Sequence, residues 1–285
     1  MTMTTPMQDK SAAKLEPATT PKADPPAEVS TELAEDSYIR AKLYGGDKSD
    51  LRRYADLVVG EGAGYGSLLK YELLTCLLAG RRGALGLFLR KKLYPSLFKE
   101  CGRGVIFGRN LTIRNAKNLT LGDQVVIDDD CVLDARGAGD EGVKIGRGTI
   151  LNRGVSVQAK IGPVHIGEEC DIGMHSDIHA QGGVYIGDQV VLGGGAKISG
   201  GVFQIDRSEG DDREQDRSTR GPIRIDSKCL VGMGSSFLDG VHVGEGVVLG
   251  AKSLVLKDLP PYTVAAGSPA KVLRERTTRD AAAVN

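Results

Sequence analysis

Four histidines are the residues of this chain best suited to proton transfer: His165, His175, His179 and His242. A neutral imidazole accepts a proton near physiological pH, so each of them is a candidate general base. Three imidazoles that converged on one ion would instead hold zinc. Which of these two chemistries is open to them depends on how the fold spaces the four residues.

The stretch from Leu121 to Lys257 repeats in units of six residues. The residue after the lead is Gly at nine of the twelve places in the first two units of each triplet, and the fifth position is small or aliphatic. We interpret these glycines, and the Asp128, Asn152 and Asp226 that replace them, as left-handed backbone positions. All eighteen lead positions are apolar: Leu121, Ile127, Leu133, Ile145, Leu151, Val157, Ile166, Ile172, Ile178, Ile186, Leu192, Ile198, Ile225, Val231, Phe237, Val243, Leu249 and Val255.

Extra residues interrupt the repeat only after every third unit. Six precede Ile145, three precede Ile166, two precede Ile186 and 21 precede Ile225. Three units therefore make one closed turn, and the loops leave from one corner. This pattern predicts a triangular solenoid of parallel strands, with six regular turns after an imperfect first turn at 104–120.

Composition excludes several classes of protein. Lys plus Arg equals Asp plus Glu, at 37 each, so no overall field attracts nucleic acid. No apolar run approaches the roughly 18 residues that span a bilayer, and the first residues lack the apolar block of a signal peptide. We therefore expect a soluble cytoplasmic protein.

Three cysteines fall on the fifth position of the repeat, where we expect packing residues and not disulfides: Cys131, Cys170 and Cys229.

The chain divides into four segments. Residues 1–37 hold five of the eleven prolines and no glycine, which predicts a disordered tail. Residues 38–103 form a helical N-terminal cap region, with expected helices at Tyr71–Ala79 and Ala84–Lys92. The solenoid occupies 104–257 and carries a charged loop at about 206–221, and a C-terminal tail at 258–285 packs on it.

The Leu-rich, basic helices have two interpretations. They could contact a membrane surface through residues 68–95, apolar on one face and basic on the other. They could instead cover the open end of the solenoid, because an exposed sheet edge needs protection. We favour the cap.

The repeat, followed by "VLGAKSLVLKDLPPYTVAAGSPAKVLRER", resembles the hexapeptide-repeat acyltransferases of the galactoside and serine O-acetyltransferase type. The resemblance covers about 104–276. It implies an all-β fold, a left-handed parallel β-helix, and a homotrimer with acyl-CoA in the groove between neighbouring subunits. It also implies transfer of an acetyl or other acyl group to a hydroxyl or amine, commonly of a sugar.

The same resemblance assigns a donor site residue by residue. Ala251 matches a backbone contact to the CoA arm, and Lys257, Lys271 and Arg274 match basic residues that meet its phosphates. Cations close to a backbone edge suit an anionic ligand, although ordinary surface charge is the alternative. Acetyl-CoA is then a donor substrate, with no permanently bound cofactor and no metal.

One position departs from the family pattern. Phe203 stands where the family usually has its catalytic His, and Gly173 stands where an assisting Asn is common. Phenylalanine cannot accept a proton, so another base is needed. His242, five residues after Phe237, is expected in the same column as Phe203 and one rung higher. His179 is the second candidate base.

Two functions from different classes remain. The first is an acyl-CoA-dependent O- or N-acyltransferase that acts on a small acceptor with an altered base. The second is a catalytically inactive trimeric scaffold or binding protein. The three basic residues favour the enzyme, because a scaffold needs no phosphate clamp. A zinc enzyme is disfavoured, because the four histidines fall in different columns or several rungs apart.

Overall fold

The computed structural model describes residues 48–139, 141–200, 202–203 and 217–276. The tail predicted for 1–37, most of the loop predicted at about 206–221 and the end of the C-terminal segment lie outside these residues. The domain boundaries given above stay predictions.

The described chain winds through three flat walls. Wall A contains β1 (Glu100–Cys101), β4 (Leu119–Leu121), β7 (Val143–Ile145), β10 (Val164–Ile166), β13 (Val184–Ile186), β18 (Ile223–Ile225) and β21 (His242–Val243). Wall B contains β2 (Ile106–Phe107), β5 (Val126–Ile127), β8 (Ile150–Leu151), β11 (Asp171–Ile172), β14 (Val191–Leu192), β19 (Leu230–Val231), β22 (Val248–Leu249), β24 (Thr263–Ala266) and β25 (Lys271–Glu275). Wall C contains β3 (Thr112–Arg114), β6 (Val132–Asp134), β9 (Ser156–Ala159), β12 (Asp177–Ala180), β15 (Lys197–Ser199), β20 (Ser236–Phe237) and β23 (Leu254–Val255).

Each strand pairs in parallel with the strand one turn away, in the register that the repeat predicts. On wall A, Ile166 pairs with Ile145 below and with Ile186 above, and Ile225 pairs with Val243. The 7-stranded walls A and C correspond to seven turns, the first of which begins at Glu100. The predicted β-helix of hexapeptide repeats is therefore confirmed.

The core of the solenoid is a stack of the lead and fifth positions. Both sets are buried, and the polar members at the fifth position bond to backbone. The hydroxyl of Thr149 donates to the carbonyl of Gly167 at 2.7 Å, and that of Ser253 to Gly250 at 2.7 Å. Cys131 and Cys229 are free and buried, and burial raises the pKa of each thiol to about 11. They are packing residues, as predicted.

The backbone conformation at the corners of the solenoid contradicts the interpretation of the glycines as left-handed positions. The glycines after the lead residues are not left-handed; the positive φ lies two residues later, for example at Gln124 (59°) and Asp130 (63°). The glycines are needed because successive turns touch there. A Cβ on Gly232 would lie 2.3 Å from the backbone nitrogen of Ala251, closer than van der Waals contact allows. Close approach, and not backbone conformation, selects glycine at this position.

Three helices precede the solenoid: α1 (Asp50–Val58), α2 (Tyr65–Leu78) and α3 (Gly83–Leu93), followed by a 3₁₀ turn at Tyr94–Leu97. The hydroxyl of Tyr71 donates to the carbonyl of Ile113 at 2.6 Å, and the buried Arg90 guanidinium donates to Phe107 at 3.0 Å and to Leu78 at 3.0 Å. The helices therefore bind the exposed edge of the first turn, as a cap does. The sequence interpretation missed α1 and began α2 too late.

The upper end is closed by the chain itself. Strand β24 pairs in parallel with β22, and β25 turns back antiparallel to β24 as the outermost strand of wall B.

The long insertion leaves from the corner between walls C and A, as the phase of the repeat predicts. Its described ends form two short antiparallel strands, β16 (Val202–Phe203) and β17 (Arg217–Ser218). The returning chain is anchored by buried Asp239, which accepts from the backbone of Arg220 at 2.7 Å.

Contact between turns makes Gly232 a sensitive position. Gly232→Ala places a methyl group against backbone that cannot move without shifting a whole turn, and should lower the free energy of unfolding by about 1–3 kcal/mol. Urea unfolding with an unchanged m-value is the measurement.

Gly66→Ala is the matched control. Gly66 lies in α2 with open space where its Cβ would be, so the same added methyl group should be neutral or stabilise by up to about 1 kcal/mol. Equal effects of the two substitutions would contradict the close-contact explanation.

Candidate active site

The six predicted site residues do not converge in one pocket of a single chain. They lie on different sides of the solenoid, most of them in its upper turns. His242 is on wall A and His179 is on wall C. Ala251 lies at the corner between walls B and C, Lys257 lies beyond wall C, and Lys271 and Arg274 lie on the edge strand of wall B.

The predicted relation between His242 and Phe203 is wrong. His242 lies in wall A, where its neighbour one turn below is Arg224. Phe203 lies outside the three walls, in strand β16, where it pairs with Arg217 of β17. The chain leaves wall C after Ser199, so the residues that follow no longer keep the six-residue register on which the prediction depended.

His242 nevertheless has the surroundings of a general base. Its Nε2 lies 2.8 Å from Oδ2 of Asp226, and both side chains are about half exposed. A carboxylate at this distance orients the imidazole and holds the ring proton on Nε2, which leaves Nδ1 free to accept a proton. The backbone nitrogen of His242 also donates to Asp258 at 2.8 Å, which brings the neighbouring Lys257 close to this corner.

Asp226 is a partner of His242 that is not identified from the sequence. From the sequence, this residue is interpreted as a left-handed backbone position, because it replaces glycine after a lead position. The substitution itself was the available signal: where the other first corners carry glycine, this one carries a carboxylate that reaches the next turn.

Below His242, the outer face of wall A carries an aromatic and cationic column. The guanidinium of Arg224 lies 4.6 Å from the ring centre of Tyr185, and the ring of His165 meets Tyr185 edge-on at 5.3 Å. Burial, followed by the charge of Lys144, lowers the pKa of His165, and Glu141 opposes this shift.

This column forms one side of a groove of about 800 Å³. The groove extends to the corner between walls A and B, where charged side chains of both signs line it. A polar groove with one aromatic side chain offers hydrogen bonds and one flat surface to a small polar molecule. Its charged lining residues are Arg147, Glu168, Glu169, Asp188, Arg224, Asp226, Lys228 and Glu245.

His179 is less available for proton transfer. Its Nε2 lies 3.0 Å from Nε2 of Gln158, and the same amide nitrogen donates to Ser156 at 2.8 Å. This contact occupies Nε2 of the imidazole. The residue directly above it on wall C is Ser199.

Ala251 belongs to a strip of small and flexible residues at the corner between walls B and C, in which successive turns place Met174, Gly194, Met233 and Ala251 above one another. Met174 and Met233 are 57% and 66% exposed. Exposed methionines next to small residues make an adaptable apolar surface. We call these four residues the corner strip.

Lys271 and Arg274 point to the same side because of a β-bulge. Lys271 pairs with Ala266 and Arg274 with Val264, and the register shifts between them. Ala266 and Val264 alternate with buried residues, so both face outward. Residues three apart on a regular strand would face opposite ways, and the bulge corrects this. The sequence could not show it.

The two cations lie at the upper end of the corner strip. A Cβ on Gly250 would lie 2.8 Å from the Cβ of Ala266, the residue that pairs with Lys271. Ala251, Lys271 and Arg274 are therefore brought together on one side. His242 and Lys257 form a second group on another side.

In the described part of the chain, no group of three or more His, Cys, Asp or Glu side chains is placed so that it could hold a metal ion.

Three relatives are each named "Putative acetyltransferase". One from Schizosaccharomyces pombe is 38% identical over 92 residues, which is 32% of this chain and 43% of that protein. One from Staphylococcus aureus strain Mu50 is 44% identical over 63 residues, 22% and 32% of the two chains. One from Saccharomyces cerevisiae is 32% identical over 127 residues, 41% and 64% of the two chains. The matches thus span a third to two thirds of these relatives.

Two solved structures are similar at low identity. AntD, an N-acyltransferase from Bacillus cereus in complex with dTDP and 3-hydroxybutyryl-CoA, is 18% identical with a TM-score of 0.47, covering 69% of this chain and 93% of that chain. The polySia-specific acetyltransferase NeuO is 22% identical with a TM-score of 0.42, covering 63% and 78%.

A family model described as "Hexapeptide repeat of succinyl-transferase" matches residues 124–159, 163–199 and 222–255. All three segments lie within the walls described above. In these three segments, which make up less than half of the chain, the solenoid is similar to the hexapeptide repeat of that family.

Proposed function

We propose that this chain is an acyltransferase that moves an acyl group, with acetyl-CoA as the expected donor, to a hydroxyl or amine of a small acceptor such as a sugar. The observation that carries the proposal is the pair Lys271 and Arg274, which face one way at the end of the corner strip. The acetyltransferase relatives and the hexapeptide repeat agree with it. We place the reaction in the cytoplasm.

The donor site has two parts. Lys271 and Arg274 supply two positive charges for the phosphates of CoA, as charge-assisted hydrogen bonds require. The corner strip supplies an apolar surface and accessible backbone for the rest of the donor, down to Met174. Lys257, near His242, is a third cation, which would approach the donor from the other subunit in the groove between neighbouring copies.

The separation of the two groups within one chain means that a second copy is needed to complete the site, and the family resemblance makes the expected assembly a homotrimer. If copies pack side by side, wall A of one copy comes to face the corner strip of its neighbour. The His242–Asp226 pair of one subunit would then meet the donor that the other holds. The complete site therefore needs residues from both subunits.

The chemical step follows from the His242–Asp226 pair. Nδ1 of the neutral imidazole takes the proton of the acceptor hydroxyl or amine as that atom attacks the thioester carbonyl. The tetrahedral intermediate collapses, the C–S bond breaks, and the thiolate of CoA takes up the proton from the imidazolium. Asp226 stabilises the imidazolium between the two steps.

The oligomeric state is directly measurable. Multi-angle light scattering of the full chain at micromolar concentration should give three times the chain mass of 30.2 kDa. A mass of one chain would contradict the shared site, since no single copy brings the two groups together.

The donor clamp predicts a selective loss of affinity. Lys271→Ala together with Arg274→Ala removes two charge-assisted contacts of about 1.5–3 kcal/mol each, so CoA binding should weaken at least about tenfold. Isothermal calorimetry is the measurement. Lys144→Ala together with Lys160→Ala is the control, since it removes the same charge elsewhere on the solenoid. Unchanged affinity in the first variant would favour the scaffold.

The assignment of the base predicts a loss of turnover without a loss of donor binding. A positioned base contributes about 10²–10⁴-fold, so His242→Ala should reduce kcat at least about a hundredfold. Asp226→Asn should reduce it less, because the ring stays in place without its charged partner. CoA affinity should be nearly unchanged in both variants.

His179→Ala is the control for this experiment. It removes the other candidate imidazole, whose Nε2 is already engaged by Gln158. Full activity of His242→Ala together with an inactive His179→Ala would transfer the role to His179.

The alternative function is an inactive trimeric scaffold. It is favoured by one observation, that Phe203 stands where the family resemblance places the catalytic His. A chain that neither binds CoA nor transfers acetyl to any sugar or amine acceptor would establish this alternative.

A further inference from the structure

The cap helix α2 is apolar on two opposite faces. Its inner face, with Leu68, Tyr71 and Leu78, is buried, and Tyr71 bonds to the carbonyl of Ile113 in the solenoid. A helix that only capped the solenoid would carry polar residues on the other face. Instead, the outer face carries a row of residues four apart that are 55–70% exposed: Tyr65, Leu69, Leu73 and Leu77.

The next helix repeats this arrangement. In α3, Gly86 is buried against Arg81 and Arg90 is buried on the first turn, where it donates to the carbonyl of Phe107, whereas Leu85 and Phe88 are 59% and 57% exposed. Both helices bury their inner faces on the first turn, so both outer faces point away from it. We call the six exposed residues, Tyr65, Leu69, Leu73, Leu77, Leu85 and Phe88, the outer patch.

Positive charge surrounds the outer patch. Residues 65–98 contain six basic residues and a single acidic one, Glu72, whereas the whole chain is balanced. Glu72 already accepts a hydrogen bond from Tyr54 at 2.6 Å. Four of the basic residues are exposed and form no ion pair with any part of the chain that the structure describes: Arg81, Arg82, Lys91 and Lys92.

We propose that the outer patch docks on the surface of a lipid bilayer with anionic headgroups. Leucine and phenylalanine enter the boundary between headgroups and acyl chains, and lysine and arginine around them meet the lipid phosphates. A second copy of the chain is a poorer occupant, because it would bring two sets of like charges together. The contact is peripheral: none of the described helices is long and apolar enough to cross a membrane.

The proposal joins the two interpretations that the sequence left as alternatives. The inner faces of the helices cap the solenoid, and the outer faces remain for the membrane. It does not depend on acyl transfer, since the groups proposed for chemistry lie in the upper turns and the outer patch at the lower end.

Vesicle sedimentation of the full chain tests the proposal. Vesicles of phosphatidylcholine with about a third phosphatidylglycerol should bind the chain at least about tenfold more tightly than vesicles of phosphatidylcholine alone, and the difference should shrink as salt rises. Absence of binding to the anionic vesicles at low salt would overturn the proposal.

Two variants separate the apolar and the charged contributions. Leu69→Ser, Leu73→Ser and Phe88→Ser together should weaken binding at least about tenfold, because inserted apolar area is lost. Lys91→Gln with Lys92→Gln should also weaken binding to anionic vesicles by about tenfold, and should matter little for neutral ones. All five side chains are exposed, so the fold should be retained, which circular dichroism checks.

Each variant has a matched control on the solenoid. Val191→Ser with Leu230→Ser changes two wall B residues that are each 42% exposed, and Lys144→Gln with Lys160→Gln removes two charges. Both controls should bind like the unchanged chain. Equal losses in variant and control would overturn the proposal. So would a lower molecular mass of the serine variant in the absence of vesicles, because the patch would then be an interface between copies.

Discussion

The contact between successive turns at the corners is the constraint on which the rest of the structure depends. Parallel strands stack at about 4.8 Å, and at each corner the backbone of one turn lies directly on the next. A Cβ on Gly193 would lie 2.5 Å from the nitrogen of Met233, and one on Gly232 would lie 2.3 Å from that of Ala251. Glycine at this position lets the turns close, and the residue two places later then takes the left-handed conformation that completes the corner.

Because the turns stack in register, the position of a residue within the six-residue unit determines the vertical column in which it lies. A residue at a given place in the unit lies above the residue at the same place one turn earlier, so chemical groups accumulate in vertical rows. The row of His165, Tyr185, Arg224 and His242 on wall A arises in this way, as does the corner strip. Two departures from this stacking, one in the long insertion and one after the repeat has ended, are informative for the same reason. The insertion after Ser199 removes Phe203 from every row, and the bulge in β25 moves Arg274 to the side of Lys271.

The sequence predicted what the period alone determines. The apolar leads, the small fifth positions, the seven turns and the single corner for the loops are properties of one repeated unit. Contacts between different turns needed coordinates. The pairing of Asp226 with His242 joins two units, and the bulge at β25 lies after the repeat has ended. The left-handed positions were misassigned because close approach and positive φ both select glycine, and a sequence does not distinguish them. The role of the buried Arg90 in holding α3 to the first turn was equally invisible.

The two ends of the solenoid solve the same problem with different chemistry. A stack of identical turns leaves an unpaired edge at each end, and each edge must be covered. At the upper end, β25 covers the edge of wall B with a strand whose outward residues are cationic. At the lower end, α2 and α3 satisfy the carbonyls of Ile113 and Phe107 and bury the first turn, but α2 brings a second apolar face with it. The helices cover the apolar edge of the first turn, but the outer face of α2 exposes apolar side chains in its place. A helix that only capped the solenoid would carry polar residues in place of Leu69 and Leu73, so these exposed leucines support the second contact proposed above.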